Sequence, residues 1–328
     1  MSDEEYRNNL YSLWTNYCVS ESYEPGSTFK PVTVASALEE GVVKDGDTYV
    51  CKGFETVADY KLKCHVFSTI GSHGSLTVEQ ALMNSCNPYM IHLALEMGNS
   101  RFAYYQSLFG FGKITGIDLP GETTGIVYGD RMTTIDAACN SFGQTINVNM
   151  MQMMAAYCSI INGGMLYQPH IVKRIESANG EVVKEYKANL VRQTITASTS
   201  KLLRRYLKNT VEEGTAKKAG VTGYSVAGKT GTAQKGDRKD NKWIISFIGH
   251  APAENPKFAI YVVIDEPYGT TGTSGSSADV LTLTHNILEK LLPYMNVYKD
   301  ASDEYEDTSS SPDELTVDGI PAGTASSN

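Results

Sequence analysis

Residues 224–267 read YSVAGKTGTAQKGDRKDNKWIISFIGHAPAENPKFAIYVVIDEP. Three β-prone runs stand out, YSVAGKTGTAQ (224–234), KWIISFIGHAP (242–252) and KFAIYVVIDEP (257–267), with short polar turns between them. Turns this short join antiparallel neighbours, because a parallel crossover needs a dozen or more residues. The stretch therefore predicts an antiparallel meander. Helical patterns surround it. STFKPVTVASALEEG opens a helix near Ser27 and ends at Gly41, with Pro31 in the first turn where its missing N–H costs least. Thr77 and Gln80 suit a capping box, and the helix begun by LTVEQALMNS is interrupted at Asn87-Pro88 before a second helix runs through MIHLALEMG. MMQMMAAYCSIINGG reads as a buried helix closed by two glycines, and its methionines read as core packing. IVKRIES-ANG-EVVKEY predicts a hairpin turning on Asn179-Gly180. Residues 198–213 form an amphipathic helix with Leu202, Leu203, Tyr206, Leu207 and Val211 inward, and a last helix runs from about Ser277 to Tyr294. Residues 1–24 give no convincing strand, residues 42–75 mix Gly, Asp and short β-prone pieces in a loop-rich excursion, and residues 110–144 are Gly-rich and irregular.

The fold class that follows is α+β, one domain over residues 1–299 with an antiparallel sheet flanked by helices. Residues 300–328 are an acidic tail, poor in core formers and expected to be disordered. The chain has 328 residues and a formal net charge of −9. Eight acids and no Lys or Arg lie in the tail, so the body is nearly neutral and carries no basic stripe for nucleic acid. No apolar run approaches the ~20 residues that cross a bilayer, and the opening MSDEEYRNNL is not a signal peptide. Six cysteines without C-x-x-C and six histidines without H-x-x-x-H argue against zinc. His92 and His250 lie in apolar stretches and read as core histidines.

Three short motifs occur in order: Ser27-Thr28-Phe29-Lys30, Ser85-Cys86-Asn87 and Lys229-Thr230-Gly231. Each alone is weak, and the chain supplies decoys in Ser198-Thr199-Ser200-Lys201, which opens an amphipathic helix, and Ser177-Ala178-Asn179, which sits at a hairpin turn. Ser27 differs because it follows a Pro-Gly turn and opens a helix, where backbone N–H groups are unpaired and the dipole favours negative charge. Lys30 is one turn on, on the same face, within reach of the Ser27 oxygen. A desolvated lysine near other cations can lose its proton and act as a base, leaving Ser27 to form an acyl-enzyme. Ser85 and Asn87 lie at a helix break, from which both can project into a cleft. Lys229-Thr230-Gly231-Thr232 ends a strand, where Gly231 is expected to leave room for a peptide-like ligand lying alongside.

With their flanks, these motifs resemble the active-site serine penicillin-recognising enzymes, and more widely the class B penicillin-binding proteins, the peptidoglycan transpeptidases. The resemblance covers roughly residues 20–295, in YEPGSTFKP, NSCNP, FGFGKITGIDLPGE, SFGQTINVNMMQMMAAY, INGG, AGKTGTAQ and WIISFIGHAP. It implies the penicillin-binding/β-lactamase-like transpeptidase fold. It further implies Ser27 as nucleophile, Lys30 as general base, Ser85 as proton relay and Asn87 as a hydrogen-bond partner of the substrate amide. Lys229 would supply positive potential, and Thr230 and Thr232 would hold the substrate carboxylate, with backbone N–H groups of Ser27 and Thr232 as the oxyanion hole. The donor would be a peptidoglycan stem peptide ending in D-Ala-D-Ala, β-lactams would acylate the same serine, and no metal or organic cofactor is implied. The resemblance places the full-length protein at the extracytoplasmic face of a bacterial membrane, with a glycosyltransferase partner.

Family members carry a membrane helix and pedestal first, and their transpeptidase domain opens with a helix and two strands that complete a five-stranded sheet. Ser27 arrives too early for those, so the chain is expected to be N-terminally truncated, with YVVIDEP at an open sheet edge. Two other readings share the motifs. One is a serine β-lactamase, for which no water-activating Glu motif is found; the other is a non-catalytic β-lactam sensor or inert fragment. Cys86 between two motif side chains is free packing filler or a disulfide partner. Cys51 and Cys64 both flank the excursion, and a Cys64–Cys86 bridge would tie it to the middle motif.

Overall fold

The computed structural model describes residues 2–236, 242–267 and 276–301. Along the chain the elements are α1 (Asp3–Ser12), α2 (Tyr17–Ser20), α3 (Lys30–Glu40), β1 (Thr48–Cys51), β2 (Phe54–Val57), β3 (Tyr60–Lys63), β4 (Gly74–Thr77), α4 (Val78–Met83), α5 (Asn87–Met97), α6 (Asn99–Leu108), α7 (Thr134–Asn140) and α8 (Met150–Ile161). They continue as β5 (Met165–Gln168), β6 (Arg174–Glu176), β7 (Val182–Glu185), β8 (Asn189–Gln193), α9 (Ala197–Glu212), β9 (Ala227–Lys235), β10 (Lys242–Ala251), β11 (Phe258–Asp265) and α10 (Ala278–Tyr294).

The meander forms as expected: β9, β10 and β11 pair antiparallel in the order β11-β10-β9. Among the described residues β11 pairs with β10 alone, so its other side is a sheet edge. Helices cover both faces, with α8 and α9 on one and α10 on the other. The larger core lies between α3, α5, α8 and α9, around Phe29, Val34, Met90, Phe102, Tyr157 and Leu203. A second core joins the sheet to α10 through Val226, Ile245, Phe247, Val280, Leu288 and Leu292. Each such side chain, fully buried, contributes about 1.5–3 kcal/mol of transfer free energy.

Local chemistry sets the helix limits. Gly41, at φ +75°, stops α3 and donates its N–H to the carbonyls of Ala37 and Leu38. Thr77 and Gln80 form the expected capping box at α4, and Asn149 with Gln152 forms another at α8. The hairpin of β6 and β7 turns through residues 177–181: the Gly180 N–H donates to the Ser177 carbonyl at 3.0 Å, and Gly180 alone of the Asn-Gly pair is left-handed, at φ +82°.

The structure adds to the sequence pattern at three places. Residues 110–144 are not irregular throughout: Thr133 and Asp136 cap α7, a helix too short to show a period. The short β-prone pieces expected in residues 42–75 form β1 to β3 and the start of β4, with β1 on β4 and β2 on β3. The body also extends past residue 299. Asp300 accepts the Ser225 N–H at 2.7 Å and also the Ser225 hydroxyl, while its own N–H and that of Ala301 reach the Gly223 carbonyl. Asp300 thus pairs with a turn of the domain and does not belong to the acidic tail, of which residues 302–328 lie outside the described residues.

Candidate active site

Ser27 sits in a 3-10 turn, Gly26–Phe29, that runs directly into α3. Tight backbone stacking builds this turn. The Gly26 N–H donates to the Gly143 carbonyl at 2.9 Å, and a Cβ on Gly26 (φ +56°) would lie 2.7 Å from the Thr232 carbonyl oxygen. Gly143 (φ +81°) presses its own Cα face onto the Gly26 backbone, so a side chain there would overlap it. Glycine is therefore required at both positions, for left-handed φ and for close approach. Thr28 Oγ1 donates to the Pro25 carbonyl at 2.7 Å, and Thr33 Oγ1 donates to the Ser141 carbonyl at 2.8 Å.

The middle motif occupies the break between α4 and α5. Ser85 has φ +55°, a left-handed conformation that costs a non-glycine residue of order 1 kcal/mol or more. That backbone turns both the Ser85 carbonyl and its hydroxyl toward Lys30. Lys30 Nζ donates to Ser85 O at 2.6 Å, Ser85 Oγ at 2.9 Å and Asn87 Oδ1 at 2.7 Å. Ser85 Oγ in turn donates to Ser27 Oγ at 3.1 Å. The hydrogen bonds of Lys30 thus run to Ser85 and Asn87, and Ser27 is reached through Ser85, where the helix spacing alone suggested direct contact. Asn87 Nδ2 makes only a long bond, 3.4 Å, to the Lys63 carbonyl.

Burial decides the electrostatics. Lys30 is fully buried, and desolvation lowers its pKa to about 8, partly opposed by the nearby thiols of Cys64 and Cys86. Lys229 is fully buried on β9, and desolvation with the added charge of Lys30 depresses it well below the ordinary lysine range. Its Nζ is 3.3 Å from both the carbonyl and the Oγ1 of Thr230, which lies 3.4 Å from Thr215 Oγ1. Thr215, which the sequence reading missed, also bonds the Met83 carbonyl at 3.3 Å and so links the strand motif to α4.

Gly231 also has a packing role. A Cβ there would meet Ser246 Oγ, Thr28 Cγ2 at 2.8 Å and the Pro25 carbonyl at 3.0 Å. Its missing side chain lets β9 pack against the Ser27 turn. Thr232, the next residue outward, is half-buried. A cavity of about 330 Å³ lies beside this turn, lined among others by Tyr17, Glu24, Gln144, Ala233 and Asp265, and contains none of the motif lysines or serines.

The remaining candidates separate cleanly. The decoy Ser198 is exposed on α9, and Asn179 is at the hairpin turn. His250 is a core histidine, bonded to Tyr157 Oη at 2.8 Å and the Ala253 carbonyl at 3.1 Å, and burial lowers its pKa to about 4. His92 is not: its side chain is 39% exposed, stacked on Tyr49. None of the six cysteines is in a disulfide, and the Cys64 and Cys86 sulfurs lie within 4.8 Å of each other. Cys51 and His73 join that pair, with the four ligand atoms within 4.8 Å of one another. Sequence spacing gave no sign of this cluster, since its members come from four separate segments.

Many known proteins are similar to this chain in sequence and in fold. The penicillin binding protein transpeptidase domain family matches residues 1–289. Stage V sporulation protein D of Bacillus subtilis is 41% identical over 288 residues, spanning 86% of this chain and 44% of its own length. Peptidoglycan D,D-transpeptidase FtsI of Escherichia coli K12 is 32% identical over 292 residues, spanning 87% and 46%. The chain thus spans a little under half the length of these relatives. Among solved structures, penicillin binding protein 3 of Mycobacterium tuberculosis superposes with a TM-score of 0.78 at 28% identity, over 88% of this chain and 66% of that one.

Proposed function

The chain belongs to the penicillin-binding protein transpeptidase family, and from that premise we propose that it is the catalytic domain of a serine-type peptidoglycan D,D-transpeptidase. One observation carries the reading: the chain of contacts from Ser27 Oγ through Ser85 Oγ to the buried Lys30 amine, 3.1 and 2.9 Å. As an ammonium, Lys30 spends its three protons on Ser85 and Asn87. As a neutral amine it has a lone pair, and the hydroxyl chain reverses so that Ser27 donates to Ser85 and Ser85 to Lys30.

Ser27 Oγ then attacks the carbonyl of the penultimate D-Ala of a stem peptide. The tetrahedral oxyanion is met by the backbone N–H groups of Ser27 and Thr232, whose turn and strand are pressed together at Gly26. The proton held on Lys30 returns through Ser85 to the departing D-Ala amine, leaving an ester on Ser27. An amine of a neighbouring stem peptide attacks that ester, its proton following the same route, and frees Ser27 with a new amide bond. Thr230 and Thr232 would hold the donor's terminal carboxylate, whose charge also favours the protonated form of Lys229. Asn87 Nδ2 is available to the substrate amide.

β-Lactams would acylate Ser27 in the same way; a relative of the fold has been solved in complex with ampicillin. The site would work at the extracytoplasmic face of a bacterial membrane beside a glycosyltransferase. No described helix is long and apolar enough to cross a membrane. The test is to follow acylation and hydrolysis of a chromogenic cephalosporin separately. A long-lived acyl-enzyme with slow hydrolysis supports the transpeptidase. Rapid turnover supports a β-lactamase, and no acylation an inert or truncated domain.

A further inference from the structure

We infer that Cys51, Cys64, His73 and Cys86 form a tetrahedral zinc site behind the middle motif. Cys51 ends β1, Cys64 follows β3, His73 precedes β4 and Cys86 lies between Ser85 and Asn87. Antiparallel pairing of Cys51 with Gly74 brings the two ends of the excursion together, and the α4–α5 break delivers Cys86. His73 Nδ1 lies 3.8 Å from Cys51 Sγ and 3.6 Å from Cys64 Sγ, with all four ligand atoms inside 4.8 Å. Zinc–sulfur bonds of about 2.3 Å at tetrahedral angles require ligand atoms roughly 3.8 Å apart. Closing the cluster therefore takes side-chain shifts of less than an ångström or so.

One sulfur also has a backbone donor: Gly53 N–H points to Cys51 Sγ at 3.4 Å. Donors of this kind stabilise thiolates and fix ligand orientation around a metal. The three cysteines are buried and His73 is half-buried, which leaves an approach from solvent. Three thiolates, neutral imidazole and Zn²⁺ sum to one negative charge close to the buried Lys30. All-thiolate-and-imidazole ligation selects zinc over the oxygen-seeking cations. The ion would brace residues 51–76 against the segment that positions Ser85 and Asn87, a closed structural site with no place for substrate.

The test uses the full 328-residue chain, reduced until all thiols titrate, then exposed to zinc and freed of excess. Zinc content should approach one equivalent, and X-ray absorption should show three sulfurs at about 2.3 Å and one nitrogen at about 2.0 Å. Cobalt in place of zinc should give thiolate charge-transfer bands. Cys51→Ser and His73→Ala should each weaken zinc binding by at least ~10²-fold, while Cys18→Ser should not change it. Failure of the reduced wild-type chain to take up zinc, a coordination shell without sulfur, or zinc affinity untouched by both substitutions overturns the site. So does a Cys64–Cys86 disulfide persisting in the zinc-treated protein. None of these readouts depends on the acyl-transfer reaction.

Discussion

Lys30, as the proposed base, can act only in its neutral form, and burial sets where that form appears. With its pKa lowered to about 8, acylation should rise roughly tenfold per pH unit below that value and level off above it. A stopped-flow pH series with a β-lactam checks this; a rate flat from pH 6 to 9 would contradict it. The same shift has a stability sign. The unfolded chain holds the lysine proton to about 10.4, so between pH 8 and that value the folded state binds fewer protons and this group's contribution to stability rises with pH. Below pH 8 the full cost of the buried ammonium is present. Lys30 and Lys229 should also separate on substitution. Lys229→Arg keeps a charge near Thr230 and should retain more acylation than Lys30→Arg, which never supplies a free base. Equal losses in the two variants would count against distinct roles.

At the scale of elements, the site is assembled by junctions. Ser85 holds its hydroxyl in place at the cost of a left-handed backbone. Ser85→Gly should therefore be about 1 kcal/mol more stable than Ser85→Ala, while both lose acylation by ~10²-fold with the relay gone. Urea melts and labelling rates on the two variants test this, and equal stabilities would argue that the strain is unimportant. Gly143→Ala should unsettle the Ser27 turn, because its Cβ would overlap Gly26; a loss of at least ~2 kcal/mol is expected. Junctions also mark the limit of what the sequence reveals. The Thr77–Gln80 cap, Gly41 and the Asn179-Gly180 turn are legible because their chemistry is local. The role of Gly231 is not, since the atoms it makes room for, on Pro25, Thr28 and Ser246, are distant in sequence. The Cys51–Cys64–His73–Cys86 cluster escapes for the same reason: only the β1–β4 pairing and the α4–α5 break bring it together.

Over the whole molecule, the three-stranded meander between α8–α9 and α10 was readable from alternating runs and short turns, as was the order of the three motifs. Their convergence on Lys30 was not readable from periodicity and came from family resemblance. The β11 edge has a global consequence, because the side of it left unpaired among the described residues is a template for another strand. This chain on its own should associate with rising concentration. A longer chain that supplies strands for that edge should be monomeric, melt higher and acylate faster. Sedimentation velocity distinguishes the cases, and a monomer at every concentration would contradict the expectation. The central claim is that Ser27, and no other serine, carries the acyl group. Mass spectrometry of the proteolysed protein after labelling with a fluorescent penicillin tests it most directly. One adduct is expected, on the Ser27 peptide and absent from Ser27→Ala; an adduct on Ser198, or labelling that survives Ser27→Ala, would contradict it.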